Sequence, residues 1–299
     1  MLERLEFNSR SPFELHHILT CFESIEEHPA YAELFLPEGE GPFGCVIAIH
    51  GSRGWWPHHQ DHINNWLDSG LAVCKLQSFT TRSVESVVDD QISVTHAMMI
   101  ADAFAVKALL DEDERIGRIG IAGWSLGGTA ALYSAWSPIV DVLGTPFDAH
   151  LPIYPAAHIR PDVKKWSNSP MLILHGTGDD WTPIHLVEGL LPQLPNTTLH
   201  SYPGAHHAFD SVEEKIWLPN VIRLGKRTVR IDKNGHMSGV LAFGIRLPMN
   251  ELKHRRLGFK ILWKRGAHVQ GDPDGREDAL QRCKSMYGVS DVRQLKREW

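Results

Sequence analysis

No run of apolar residues in this chain approaches the ~20 needed to cross a bilayer as a helix, so a membrane-spanning protein is not expected. The amino terminus, MLERLEFNSR, mixes charges into its first residues without an apolar segment behind them, so no secretory signal is expected. Cysteine is scarce. Cys21, Cys45, Cys74 and Cys283 show no CxxC spacing, and Cys45 and Cys74 fall in apolar runs where a thiol behaves as a small hydrophobe. Neither a disulfide framework nor a cysteine metal site follows. No HExxH motif, internal repeat or domain-separating linker occurs. What remains is the composition of an ordinary globular protein, 42% hydrophobic and 22% charged, with 299 residues to fill one core. The expectation is one cytoplasmic domain spanning residues 1–299.

Charge is unevenly spread. The net value is −6, yet Ser211–Trp299 holds 19 Lys and Arg against 10 Asp and Glu. Such a tail is read as lying against an acidic body, with no nucleic-acid partner expected.

From Phe43 to Pro203, short apolar runs alternate with helix-like segments, the pattern of βαβ units around a mostly parallel sheet. Strands are expected at Cys45–Gly51, Gly70–Gln77, Ala149–Pro155, Met171–Gly176 and Thr198–Gly204, Arg118–Gly128 reads as a strand running straight into a turn, and a long helix is expected over about Val84–Leu110. The strands are near-continuously apolar, which suits a sheet covered by helices on both faces. Tyr31–Leu36 reads as an antiparallel edge strand. Thr228–Val240 reads as a hairpin around Asn234-Gly235, a type I′ turn signal, within an insertion of about residues 215–264. A basic, ambiguous stretch, Glu251–Arg265, precedes a closing helix of about Pro273–Tyr287, with Asp272 as N-cap and Gly288 just past its end.

The segment Gly123-Trp124-Ser125-Leu126-Gly127 is a GxSxG motif between an apolar strand and a small-residue helix. That context marks a sharp turn presenting a serine hydroxyl beside the free N–H groups of a helix start. A serine needs a base to take its proton and an acid to orient that base. HGTGDDWTP supplies the acid and YPGAHHAFD the base, each after a strand and in the order serine, acid, histidine. Asp179 is favoured over Asp180 by its spacing to Pro183, and His207 over His206 by the small Ala208 and apolar Phe209 that follow; both alternatives stay open. The oxyanion donors are expected to be the backbone N–H of Leu126 and that of Ser52 or its neighbour Arg53, in HGSRG after the first core strand. Trp55, Trp56 and the histidines His58, His59 and His62 are read as lining or covering the pocket mouth rather than holding a metal. Trp124, Trp181 and Tyr154 are further pocket candidates.

These residues resemble the dienelactone hydrolase family in its serine-containing branch. The matching stretches are GWSLGG, SFTTRSVESVVDDQ (Ser78–Gln91), HLPIYP, LILHGTGDDWTP, SYPGAHHAFD and RGAHVQGDP (Arg265–Pro273), in order between Cys45 and Tyr287. The resemblance implies an α/β-hydrolase fold, Ser125, Asp179 and His207 as a catalytic triad, and no cofactor. Members proper use a cysteine nucleophile, where this chain has Ser125, and carry an acidic residue near the strand end occupied here by His50-Gly51. Their arginines that grip a substrate carboxylate have Arg53 and Arg82 as candidates here. The expected activity is cleavage of small carboxylic esters or lactones. The same triad chemistry would also serve an acyl transferase or a peptidase, and a non-catalytic binding protein on this fold would be marked by a missing triad member; none is missing.

Overall fold

The computed structural model describes residues 1–240, 245–261 and 264–287. Its strands are β1 (Leu2–Arg10), β2 (Glu27–Phe35), β3 (Phe43–Ile49), β4 (Ala72–Leu76), β5 (Ile116–Trp124), β6 (Ala149–Ile153), β7 (Ile159–Pro161), β8 (Met171–Gly176), β9 (Thr197–Tyr202), β10 (Ile216–Arg223), β11 (Val229–Ile231), β12 (Met237–Val240), β13 (Arg246–Pro248) and β14 (Lys264–Val269). The helices are α1 (Leu15–Cys21), α2 (Pro57–Leu67), α3 (Ser78–Thr81), α4 (His96–Asp111), α5 (Leu126–Tyr133), α6 (Ser137–Leu143), α7 (His185–Glu188), α8 (Leu252–Ile261) and α9 (Pro273–Met286). Among the described residues, no helix is long and apolar enough to cross a membrane.

The main sheet has eight strands in the order β1-β2-β4-β3-β5-β6-β8-β9. From β4 to β9 all neighbours are parallel, and β1 and β2 add an antiparallel flank. Alternation along β3 shows why its run is unbroken: Cys45, Ile47 and Ile49 enter one core cluster, with residues of α4 and α5. Val46 and Ala48 enter the other, with Ile63 and Trp66 of α2 and Ala279 and Cys283 of α9. A strand buried on both faces has no polar side to show. The result is a mostly parallel sheet between two helical layers, the α/β-hydrolase architecture.

Several expectations need correcting. β2 is not the edge, because β1 pairs with it along its full length, Leu2 opposite Phe35 through Arg10 opposite Glu27. Helix α4 begins at His96, not near Val84. Asp90 Oδ1 accepts the N–H groups of Ile92 and Ser93, a local side-chain alternative to helix. Thr95 then caps α4 by accepting from Met98 N–H. The hairpin of β11 and β12 is present, but Gly235 alone in its turn has positive φ, +80°, with its N–H on the Asp232 carbonyl. A type I′ turn would need positive φ at Asn234 as well. The stretch left ambiguous contains α8. Asp272 and Pro273 occupy the N-cap and first position of α9, without a side-chain capping bond from Asp272; Gly288 lies outside the described residues.

Strands beyond β9 form one small sheet among themselves and attach a second to the body. β10 pairs with β14, and β11 adds parallel to β7, which follows core strand β6. Val269 also bridges His207.

Candidate active site

Ser125 stands at the junction of β5 and α5 with φ +54° and ψ −109°, in the left-handed region that serine seldom occupies. Its neighbours hold it there. The Ser125 N–H donates to the Ile153 carbonyl at 2.9 Å, and its own carbonyl accepts from Thr129 N–H at 2.8 Å. The turn is possible because Gly127 lets α5 pass against β3: a Cβ there would lie 2.2 Å from the Ile49 carbonyl oxygen.

His207 lies on the loop after β9 and Asp179 on the loop after β8. Ser125 Oγ is 2.9 Å from His207 Nε2, and His207 Nδ1 is 2.7 Å from Asp179 Oδ2. All three residues are buried. Asp179 Oδ1 accepts the N–H groups of Trp181 and Thr182, each at 2.8 Å, and Thr182 Oγ1 donates to Oδ2 at 3.0 Å. Burial alone would raise the Asp179 carboxyl; the charge and hydrogen bond of His207, with the Thr182 N–H, hold it below the usual carboxylate range. The imidazole is flanked by Tyr154 and Trp181, each with its ring centre 4.7 Å away.

The neighbouring acid and histidine are elsewhere engaged. Asp180, half-buried, accepts from the N–H and Nδ1 of His268 at 2.8 and 2.9 Å. His206 Nε2 is 2.8 Å from Lys215 Nζ.

Two cavities meet at Ser125. One, about 720 Å³ with its opening to solvent included, is bordered by Ser52, Leu126 and Trp181 and reaches Glu14, His96 and Arg255. The other, about 470 Å³ on the same measure, contains His207, Arg53, Trp56, His58, His59 and Trp124, and also touches Tyr154 and Trp181. The Leu126 N–H is the first of α5 and has no intrahelical acceptor. Ser52 borders both cavities, its Oγ bonded to Gln91 Nε2 at 3.0 Å. Arg53 stacks on Trp56, 3.5 Å from the ring centre.

Arg82 does not belong to the site. Its guanidinium forks onto buried Asp102 at 2.7 and 2.9 Å and bonds Ser11 Oγ, and it borders neither cavity. A fork committed to a buried carboxylate has no donors aimed at a ligand. His62 is likewise not at the mouth. It is buried, with Nε2 3.1 Å from Asp210. Among the described residues, no group of three or more His, Cys, Asp or Glu is arranged to hold a metal ion.

Asp210 is the main residue that sequence reasoning missed. Fully buried, it accepts from the Tyr154 hydroxyl at 2.8 Å and the Trp124 indole N–H at 2.9 Å, besides the His62 contact. Its carboxyl would be raised by burial, but His58, His62 and His59 pull it far below the ordinary value. The available signal was a carboxylate closing the apolar AFD run after His207. Thr182, in GDDWTP, was also passed over.

A crossover sheet with a strained serine at a strand-to-helix turn, its hydroxyl on a histidine that a carboxylate holds, defines the α/β-hydrolase class. The dienelactone hydrolase family model matches residues 71–222, just over half the chain, and the protein belongs to that family. It is therefore a hydrolase acting on esters. No curated protein matches the chain. Among solved structures it is similar to ferulic-acid-bound Est1E from Butyrivibrio proteoclasticus, at 19% identity and TM-score 0.48 over 60% of this chain and 87% of that one. It is also similar to an α/β serine hydrolase without lid from Xanthomonas campestris, at 19% and 0.47 over 69% and 86%. The Pyrococcus furiosus esterase Pf2001 gives 16% and 0.48 over 70% and 85%.

Proposed function

We propose that the protein cleaves carboxylic esters or lactones through an acyl-enzyme on Ser125, with His207 as general base and Asp179 as its orienting acid. The observation that carries this reading is the continuous contact from Ser125 Oγ through His207 to Asp179, at 2.9 and 2.7 Å. Asp179 keeps the proton on Nδ1, so Nε2 accepts from the serine hydroxyl as Oγ attacks the carbonyl carbon. The N–H groups of Leu126 and of Ser52 or Arg53 receive the developing oxyanion. The imidazolium then returns its proton to the leaving oxygen, and a water activated by the same His207 releases the acid. We read the chain as one α/β-hydrolase domain, with about residues 215–264 inserted before the closing helix and forming part of the site's roof.

The test is labelling by a fluorophosphonate probe, which phosphonylates activated serines. Wild-type protein should be labelled and Ser125→Ala should not. A mutant that is still labelled would remove Ser125 as nucleophile.

A further inference from the structure

The two cavities differ in one respect that assigns them. His207 must hand its proton to the departing oxygen, so the leaving group lies on the His207 side, in the smaller cavity. The larger cavity touches Ser125, Leu126 and Ser52 but not His207, and on the proposed mechanism it receives the acyl group. Its walls are apolar, from Ile222, Leu224, Val229, Met237, Met249 and Phe259, but other bordering residues are polar.

Among those polar residues, Glu14 and Arg255 form a buried ion pair, Nη2 on Oε1. Arg255 Nη1 also donates to the Gln91 carbonyl at 2.9 Å. Two side-chain atoms in this group have no hydrogen-bond partner among the described residues: Glu14 Oε2 and His96 Nε2. Both residues are almost wholly buried. Burial, then the charge of Arg255, keeps His96 neutral, so its ring nitrogen is free to accept or donate. Unpaired buried polar atoms are costly, so two of them on a cavity border call for a polar partner, a water or a polar group of the ligand that displaces it.

We propose that this polar group recognises a hydroxyl at the far end of the substrate's acyl chain, making the preferred substrates esters of hydroxy acids. Charge excludes the alternatives. Arg255 is already balanced by Glu14, so a terminal carboxylate would meet a like charge and a terminal ammonium would meet Arg255. An alkyl end leaves both orphan atoms unpaired. A hydroxyl donates to the Glu14 carboxylate and still accepts from a neighbour.

The proposal rests on the hydrolase reading, and its experiment separates the two. Ethyl esters of alkanoic, ω-hydroxyalkanoic and ω-carboxyalkanoic acids, matched over a range of chain lengths, are compared by kcat/KM from acid release. At the best-fitting length the hydroxy ester should exceed both others by about tenfold or more, the scale of one hydrogen bond to a charged group. The double variant Glu14→Leu/Arg255→Met removes the pair without stranding a charge, and should reverse the preference toward the alkanoyl ester. Turnover without a hydroxy preference in the wild type, or a preference unchanged in the double variant, overturns this inference alone. Failure of every ester, together with no fluorophosphonate labelling of Ser125, overturns the hydrolase reading and this inference with it.

Discussion

At the level of single residues, two adjacent carboxylates separate cleanly. Asp179 is buried against His207, whereas Asp180 holds the His268 backbone and ring. Asp179→Asn should lower kcat by about 10⁴-fold, because the amide stabilises the wrong imidazole tautomer. Asp180→Asn should leave kcat near the wild-type value; a larger loss in Asp180→Asn than in Asp179→Asn would exchange their roles. Asp210 makes a different prediction. Its carboxyl is held far below the ordinary value by its histidines, so its contribution is present above the unfolded aspartate value and is lost as pH falls below it. Asp210→Asn should therefore cost about 3 kcal/mol or more near neutrality, where a buried charge network is broken. That deficit relative to wild type should shrink below about pH 4. Denaturant titrations of both proteins at neutral and acid pH would show it; a pH-independent difference would mean that Asp210 is not charged in the folded protein. Neither the burial of Asp210 nor the pairing of Arg82 with Asp102 is written locally, since each depends on elements far apart in sequence meeting at one point. That Ser125, Asp179 and His207 would meet was legible because each follows a strand whose end is marked by glycine and turn residues.

Among the elements, legibility followed burial. β3, β5 and β8 are apolar on both faces and stand out in the sequence, whereas β1, LERLEFNSR, alternates charged residues with half-buried ones and leaves no such run. Charge on an outer strand discourages pairing with other chains, so the feature that suits β1 to its place also conceals it. Helix α4 was overextended because apolar spacing continues through Val84, Val87 and Val88, while the Asp90 side chain had already claimed the backbone donors. The junction of β5 and α5 yields a test of its own. Gly127→Ala places a methyl 2.2 Å from the Ile49 carbonyl, and the neighbouring atoms are backbone too, so no side chain can swing away. The variant should lose about 3 kcal/mol or more and disturb Ser125 with it. A wild-type denaturation midpoint would show that α5 can slide on the sheet.

On the scale of the whole molecule, the many buried imidazoles set the response to acid. Burial pushes His50, His150 and His158 down to about 4, and His59 and His96 lie well below their ordinary value for the same first reason. Unfolded, each would bind a proton near its usual value of about 6.5. Between about pH 6.5 and 4 the unfolded state therefore holds more protons, and stability must fall as pH falls. Urea midpoints measured across that range should drop steadily, with uptake of several protons on unfolding. A flat profile would mean that these rings are protonated in the folded protein.

The contact of Arg255 with the Gln91 carbonyl ties the roof of the larger cavity to its floor, since the Gln91 side chain in turn grips Ser52. Roof and catalytic loop are thus not independently adjustable parts. Attempts to enlarge the pocket by trimming α8, whether by selection or by design, would trade specificity against the anchorage of Ser52, one of the proposed oxyanion donors. Changes in substrate range should come more readily from Val229 of β11, Met237 of β12 and Met249, which shape the cavity without holding that tether.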